Sequence, residues 1–218
     1  MIPDQSLVRL AAGWQCPDPP PGALWQAPVE EARAREDIEF FWAGETARHV
    51  GSVVHRWLQR IGGDELRGWD GARIASLRAH FARELAASGV VAAEIASAVE
   101  RIAAALVNCI EDERGRWLLG AREAAASELR LRVLQDGRLR TLIIDRSFVA
   151  DGQRWVVDYK TSRHEGAGVE AFLERERVRY APQLARYAAA LGAARQGLYF
   201  PMLHGWREWD SNDEPTGN

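Results

Sequence analysis

The sequence predicts an α/β fold, with a central mixed sheet flanked by helices and preceded by an added N-terminal helical region. Apolar residues recur at helical spacing over 44–62, and segments rich in Ala, Leu and Arg follow as far as residue 119. Alternating apolar and polar residues, broken by two Asp-Gly pairs, then run from 127 to 160. A helical stretch and the apolar run "QGLYFPML" complete the pattern, so the sheet is a three-stranded antiparallel meander plus a further strand.

Four helices are expected. The first, over 44–62, is predicted by an apolar stripe at i, i+3, i+4, i+7 and i+11: Val50, Val53, Val54, Trp57 and Ile61. Two more, about 71–87 and 91–119, consist of good helix formers and are interpreted as packing helices without chemistry. A fourth covers 168–192 and ends near Gly192.

The meander strands are expected at about 127–135, 138–147 and 153–160, because Asp-Gly between alternating runs is a strong hairpin signal. If both Asp-Gly pairs form two-residue turns, Asp145 lies directly across from Asp158, and Glu128 directly across from Asp145. Lys160 projects from the same face as Asp158 and is the only Lys beside 27 Arg. The carboxylates of Glu128, Asp145 and Asp158 would thus form a row on one face of the sheet. Such a row would hold a hard cation such as Mg²⁺, although charges on a sheet face are more usually solvated.

Composition excludes several classes of protein. The net charge of −3 excludes a strongly basic DNA binder, so any DNA contact is a local groove. Two cysteines, Cys16 and Cys109, supply neither a CxxC zinc pair nor the four thiolates of an iron–sulfur cluster, and they indicate a reducing cytoplasm. The chain has no apolar run near 18 residues for a membrane span and no GxxxxGK[ST] loop for an ATP site.

Composition also suggests domain boundaries. Residues 1–43, which contain "CPDPPPG", are expected to be a linker from a preceding domain. The globular domain is expected over 44–209 with a helical insertion at about 71–119, and 210–218 is expected to be a disordered tail.

Several motifs in the sequence resemble those of a known protein family. "IID", twelve residues and then "DYK" resembles the PD-(D/E)XK nuclease superfamily, and more closely the RecB/AddA-type (exonuclease V-like) nuclease domain of helicase–nucleases. "GSVVHRWL" is similar to that family's helical motif with a metal-binding His, and "YAPQLARYAAAL" to its Gln-x-x-x-Tyr motif. The motifs span Gly51 to Tyr187 in the family's order, which implies a restriction-endonuclease-like core.

The resemblance assigns roles to individual residues. It implies that His55, Asp145, Asp158 and the backbone carbonyl of Tyr159 hold Mg²⁺, with Mn²⁺ as a substitute. It implies that Lys160 is catalytic together with His55 and the two Asp residues, and positions a water or offsets charge on the phosphate. Taken alone, a His at the edge of an apolar stripe is more often a hydrogen-bonded core residue.

Four further side chains are expected to bind DNA or support the site: Gln183, Tyr187, Tyr180 and Glu128. The first three share one helix face, which would otherwise be an ordinary packing face. Glu128 is expected to lie behind the metal ligands, since one bulge would rotate it away from the carboxylate row.

The activity implied is that of a metal-dependent deoxyribonuclease, exonucleolytic on single-stranded DNA, in recombinational repair. Because the chain has no ATP site, a helicase motor is expected in the same polypeptide or in a partner subunit. Two alternatives stay open. One is a catalytically silent DNA-guiding or scaffold domain of the same fold, and the other is an unrelated α/β binding protein in which the motifs arise by chance.

Overall fold

The structure is a computed structural model that describes residues 13–15, 44–135, 137–162 and 168–211, without the side chain of Gln135. The chain divides into two compact units, Met1–Glu39 and Phe40–Asn218. Apart from residues 13–15, the linker predicted for 1–43 lies outside the described residues, as do Asp136 of the first predicted turn and the tail after 211. The elements that follow all belong to the second unit.

Five helices precede a run of three strands, and a sixth helix separates that run from the last two strands. The helices are α1 (Glu45–Gly63), α2 (Gly71–Ser76), α3 (Arg78–Ala87), α4 (Ala92–Glu111), α5 (Glu113–Leu119) and α6 (Val169–Leu191). The strands are β1 (Glu123–Gln135), β2 (Arg138–Ala150), β3 (Gln153–Tyr159), β4 (Arg195–Phe200) and β5 (Gly205–Asp210).

The sheet is mixed, and its order is β1-β2-β3-β4-β5. Pairing is antiparallel except between β3 and β4, which are parallel and joined through α6. The predicted α/β fold, with an antiparallel meander and a further strand flanked by helices, is confirmed. The sheet has one strand more than predicted, because β5 pairs with β4 and includes Asp210, where the disordered tail was expected to begin.

The helical region is more divided than predicted. The helix expected over 71–87 is broken at Leu77 into α2 and α3, and the helix expected over 91–119 is broken at Asp112 into α4 and α5. Asp112 has extended backbone, and its carboxylate accepts a hydrogen bond from Gly115 N at 3.0 Å. It therefore acts as the N-cap of a new helix rather than as an interior residue of a long one.

The helices cover both faces of the sheet. On one face, side chains of α1 to α5 such as Trp57 and Leu106 pack against Phe148 and Val157. On the other face, α6 packs through Leu184 and its neighbours against β3, β4 and β5. Because α1 and α6 pack on opposite faces of the sheet, side chains from all three layers can meet where neighbouring inner strands separate.

No helix among the described residues has the length and apolar character that crossing a membrane requires.

Candidate active site

The candidate site lies where β2 and β3 part. Their ladder ends at the pair Arg146↔Val157, so the next residues along the two strands are Asp145 and Asp158, in the register that the turn predicts. The Asp145 carboxylate accepts a hydrogen bond from Tyr159 N at 2.8 Å, so a side chain replaces a backbone acceptor there. Both carboxylates are largely removed from solvent, with the Asp145 side chain 11 % exposed and that of Asp158 6 % exposed.

Helix α1 brings His55 to this point. The ring Nε2 lies 3.0 Å from the Tyr159 carbonyl oxygen, and Nδ1 lies 3.3 Å from Asp145 Oδ1. Gly51, one turn earlier, closely faces the segment that follows β3, because a Cβ there would lie 3.2 Å from Thr161 Oγ1, which is tighter than an ordinary van der Waals contact.

Glu128 joins His55 and Asp145. The pairs Ser127↔Arg146 and Leu129↔Ile144 bracket it, so it stands opposite Asp145 as the first turn predicts. Its backbone has φ of 51°, a conformation uncommon for a residue other than glycine. One Glu128 carboxylate oxygen lies 3.8 Å from His55 Nδ1, whereas the sequence predicts a position behind the metal ligands.

Lys160 lies beside Asp158 rather than beside the other three residues. Its Nζ is 2.8 Å from Asp158 Oδ2 and 3.5 Å from the centre of the Tyr180 ring, so an ion pair and a cation–π contact hold the ammonium. The Lys160 backbone N–H donates to the Tyr199 carbonyl of β4 at 2.9 Å. The lone lysine therefore has its backbone and its charged group fixed in place.

The motif on α6 completes this side of the site. Gln183 Nε2 donates to the Tyr187 hydroxyl at 2.7 Å and lies 3.5 Å from Asp158 Oδ1. Tyr180 and Gln183 of α6 thus contact the Asp158–Lys160 pair directly, and Tyr187 is linked to it through Gln183. Tyr187 also packs in the core against Ile144 and Val156.

His55, Asp145 and Asp158 shift one another's pKa values. Burial lowers the pKa of His55, but the carboxylates of Asp145, Asp158 and Glu128 outweigh it and raise that pKa to about 9. Burial and the charge of Asp145 raise the pKa of Asp158 to about 6, against the opposing effects of Lys160 and His55. Burial also acts to raise the pKa of Asp145, yet His55, the Tyr159 N–H and Lys160 hold it below its ordinary value.

The pKa values of Glu128 and Lys160 respond to the same charges. Burial and the charge of Asp145 raise the pKa of Glu128. Burial acts to lower the pKa of Lys160, but Asp158, Tyr180 and Asp145 raise it overall, so the ammonium stays charged. The imidazolium and the ammonium together offset a cluster of carboxylates that would otherwise repel one another.

This donor set fits a divalent cation. His55, Glu128 and Asp145 each offer a ligand atom, and these atoms all lie within 4.8 Å of one another. Carboxylate oxygens are the ligands that Mg²⁺ and Mn²⁺ prefer, and the Tyr159 carbonyl oxygen lies beside them against His55 Nε2. Among the residues that the structure describes, Asp158 is not part of this group of three and is ion-paired with Lys160 instead.

Known proteins resemble the chain to different degrees. A family model of the PD-(D/E)XK nuclease superfamily matches residues 30–202. Among solved structures, the crystal structure of SSO0001 is 15% identical, with a TM-score of 0.30, over 75% of this chain and 79% of that chain. That likeness is too low to carry an argument. No curated protein matches the chain.

Proposed function

The chain belongs to the PD-(D/E)XK nuclease superfamily, and we propose that it is a Mg²⁺-dependent deoxyribonuclease of the RecB/AddA type that degrades single-stranded DNA from its ends. One observation carries the proposal. An imidazole and two carboxylates meet where β2 and β3 part, and a buried Asp–Lys pair lies directly beside them. A catalytically silent scaffold would have no need to keep these mutually repelling carboxylates buried together.

His55, Glu128 and Asp145 would hold the cation, with the Tyr159 carbonyl and Asp158 adjacent to them. When bound, a divalent cation supplies Lewis-acid polarisation of the phosphate and a water that ionises more readily. The residues themselves orient the site: the Tyr159 N–H fixes one oxygen of Asp145, and α1 fixes the imidazole.

Lys160 would act on the reacting phosphate rather than on the cation. Its ammonium is anchored from one side by Asp158 and from another by Tyr180, so it has a fixed position beside the carboxylates. A compact ammonium can donate to one water or one phosphate oxygen, whereas the wide guanidinium of Arg would fork across both carboxylates. We therefore assign Lys160 to orienting the water or offsetting charge on the phosphate.

The wider assignment concerns substrate and partners. The net charge of −3 favours a nuclease to which another machine delivers DNA, because the chain as a whole does not attract polyanions. A helicase motor in the same polypeptide or in a partner subunit would provide that delivery, and recombinational repair in the cytoplasm is the setting in which such machines work. The linker over 1–43 and the catalytic domain over 44–209 are the corresponding domain proposals.

End-labelled linear single strands, circular single strands and linear duplexes, each incubated with Mg²⁺ or Mn²⁺, test the proposal. We expect the linear single strand to be shortened from an end while the circle survives. Lys160→Ala should abolish this activity, and Arg78→Ala, an exposed α3 side chain paired with Glu100, is the matched control that should retain it. Cleavage of the circle at the same rate would refute the exonuclease assignment while leaving the nuclease assignment standing.

A further inference from the structure

The hairpin of β1 and β2 extends beyond the rest of the sheet. We call residues 129–135 and 138–144 the β-ribbon. They pair with each other from Leu129↔Ile144 to Gln135↔Arg138, whereas β3 pairs with β2 only over Arg146–Ala150. Seven residues at a rise of about 3.4 Å make each arm about 20 Å long. The base of the β-ribbon is the pair Glu128 and Asp145, so it projects directly from the candidate site.

The β-ribbon is basic in an acidic chain. It contains four Arg, and Asp136 is the one acidic residue between 129 and 144, so four minus one gives a net charge of +3 against −3 for the whole chain. The side chains are Arg130 and Arg132 on one arm and Arg138 and Arg140 on the other, and all four are exposed. Among the described residues, Arg132, Arg138 and Arg140 have no hydrogen-bond or ion-pair partner. Most other surface arginines, such as Arg78 with Glu100, are paired.

Apolar side chains lie at the end of the same ribbon. Leu134 and Leu139 are directly paired in the register and are 75% and 65% exposed, the two largest values among the exposed large hydrophobic residues of the described chain. Exposing two adjacent leucines costs free energy in proportion to the apolar area that remains in contact with water. Together with the arginines on the same face, this exposed apolar pair would suit a ligand that has both apolar and anionic groups.

We propose that the β-ribbon is a DNA-binding arm that holds the single strand as it approaches the active site. Arg130 and Arg132 share one face of the β-ribbon with the leucine pair, whereas Arg138 and Arg140 lie on the opposite face. The two arginines of the first face would contact phosphates, and the leucine pair at the tip would pack against bases. Alternate residues on one arm, such as Arg130 and Arg132, lie about 7 Å apart on one face, a spacing suited to neighbouring phosphates. This inference rests on the proposed function for its DNA substrate, and it explains how an acidic chain binds a polyanion.

The test is equilibrium binding of a fluorescein-labelled oligothymidine, followed by anisotropy from 50 to 200 mM salt without catalytic metal. Arg130→Gln and Arg132→Gln, which share a face with the leucine pair, are combined in one variant. Its matched control combines Arg78→Gln and Arg83→Gln, two exposed arginines of the helical region. Single-stranded DNA releases about 0.7 counterions per phosphate contact, so losing two contacts should reduce the slope of log K against log salt by about 1.4. We expect Kd to rise at least tenfold in the ribbon variant and to change little in the control.

A second variant separates the apolar contacts from the ionic ones. Leu134→Gln with Leu139→Gln should raise Kd several-fold without changing the salt slope, because no counterion is involved. Thermal melts confirm that each variant is folded. Bis(p-nitrophenyl) phosphate is too small to reach the β-ribbon, so the arginine variant should hydrolyse it as fast as the wild type does. Unchanged Kd and salt slope in that variant would overturn the proposal, and the exposed leucines would then indicate a protein interface. If the wild type binds DNA as described but hydrolyses neither substrate, the proposed function fails while the arm stands.

Discussion

Replacing Lys160 with Met would remove the charge that neutralises Asp158 while keeping most of the hydrocarbon stem. The two groups are 2.8 Å apart, and their side chains are 18% and 6% exposed. Removing one partner of a buried ion pair costs about 3–5 kcal/mol, because the other charge is left in a medium of low dielectric constant. Asp158 can avoid much of that cost near neutral pH by binding a proton.

The pKa of Asp158 sets the size of the effect. Burial and Asp145 place it at about 6 with Lys160 present. Protonation of Asp158 therefore costs on the order of 1 kcal/mol at pH 7 and on the order of 3 kcal/mol at pH 8, since each pH unit above the pKa contributes about 1.36 kcal/mol. A carboxyl whose folded pKa is raised loses its stabilising contribution as the pH rises through that value, and the substitution raises the pKa further. We expect a loss on the order of 1 kcal/mol at pH 7, a clearly larger loss at pH 8, and little at pH 6.

Urea unfolding at pH 6, 7 and 8, with EDTA present and tryptophan fluorescence as the signal, measures this loss. The double variant Asp158→Asn with Lys160→Met is the control, because it has no carboxyl to titrate at this position and its loss should not grow with pH. A loss for Lys160→Met that is the same at pH 6 and pH 8, or that shrinks as the pH rises, would refute the proposed coupling between the two side chains.

Three further outcomes are expected. Although burial lowers the pKa of His55, its carboxylate neighbours raise it to about 9. A bound cation must displace that proton, so Mn²⁺ should raise the melting temperature more at pH 8.5 than at pH 6.5. Equal shifts at the two pH values would contradict the assignment of His55 as a ligand. Gly115→Ala should cost about 1–3 kcal/mol or more in urea unfolding, because its Cβ would lie 2.2 Å from the Cys109 carbonyl oxygen, whereas Gly63→Ala, with nothing within 4 Å, should be close to neutral. Arg146→Met should cost about 3 kcal/mol by the same measurement, because this 2 % exposed side chain donates to two carbonyls and a hydroxyl; an unchanged midpoint would show that these bonds are dispensable.

The register of the meander could be predicted from the sequence because two-residue turns fix it. The pairs Ala150↔Gln153 and Gln135↔Arg138 are those that Asp-Gly turns require. Once these pairs are fixed, the relative positions of Asp145 and Asp158 follow from counting. Local turn chemistry therefore determined a long-range property of the site.

The strand β5 could not be predicted in the same way. Its sequence "GWREWD" does not alternate, and its buried Trp209 packs against residues of α6 and β4 that the sequence does not place beside it. Close approach to β4 is also a tertiary property: a Cβ at Gly197 would lie 2.2 Å from the Trp206 ring. The strand exists because of packing that no local pattern records.

The position of Glu128 can be predicted only in part from the sequence. Its register opposite Asp145 followed from the turn, but the direction of its side chain depends on the backbone at φ of 51°, which the sequence does not reveal. His55 is similar, because an apolar stripe predicts the helix, while its contact with Tyr159 requires α1 to approach the sheet at Gly51. Sequence periodicity predicts individual helices and strands, whereas the side chains that meet in a site depend on how those helices and strands pack.

Cleavage of labelled single-stranded DNA by the wild type and by Asp145→Asn, each with Mn²⁺ and with EDTA, tests whether this site is a metal-dependent nuclease centre. Asp145 contacts the Tyr159 N–H and His55 and belongs to the group of three ligand residues, so its conversion to an amide should abolish cleavage while leaving the fold intact. We expect cleavage only by the wild type with metal, together with a Mn²⁺-dependent rise in melting temperature that the variant lacks. Equal cleavage by the variant, or a wild type that neither cuts nor gains stability with Mn²⁺, would contradict this assignment.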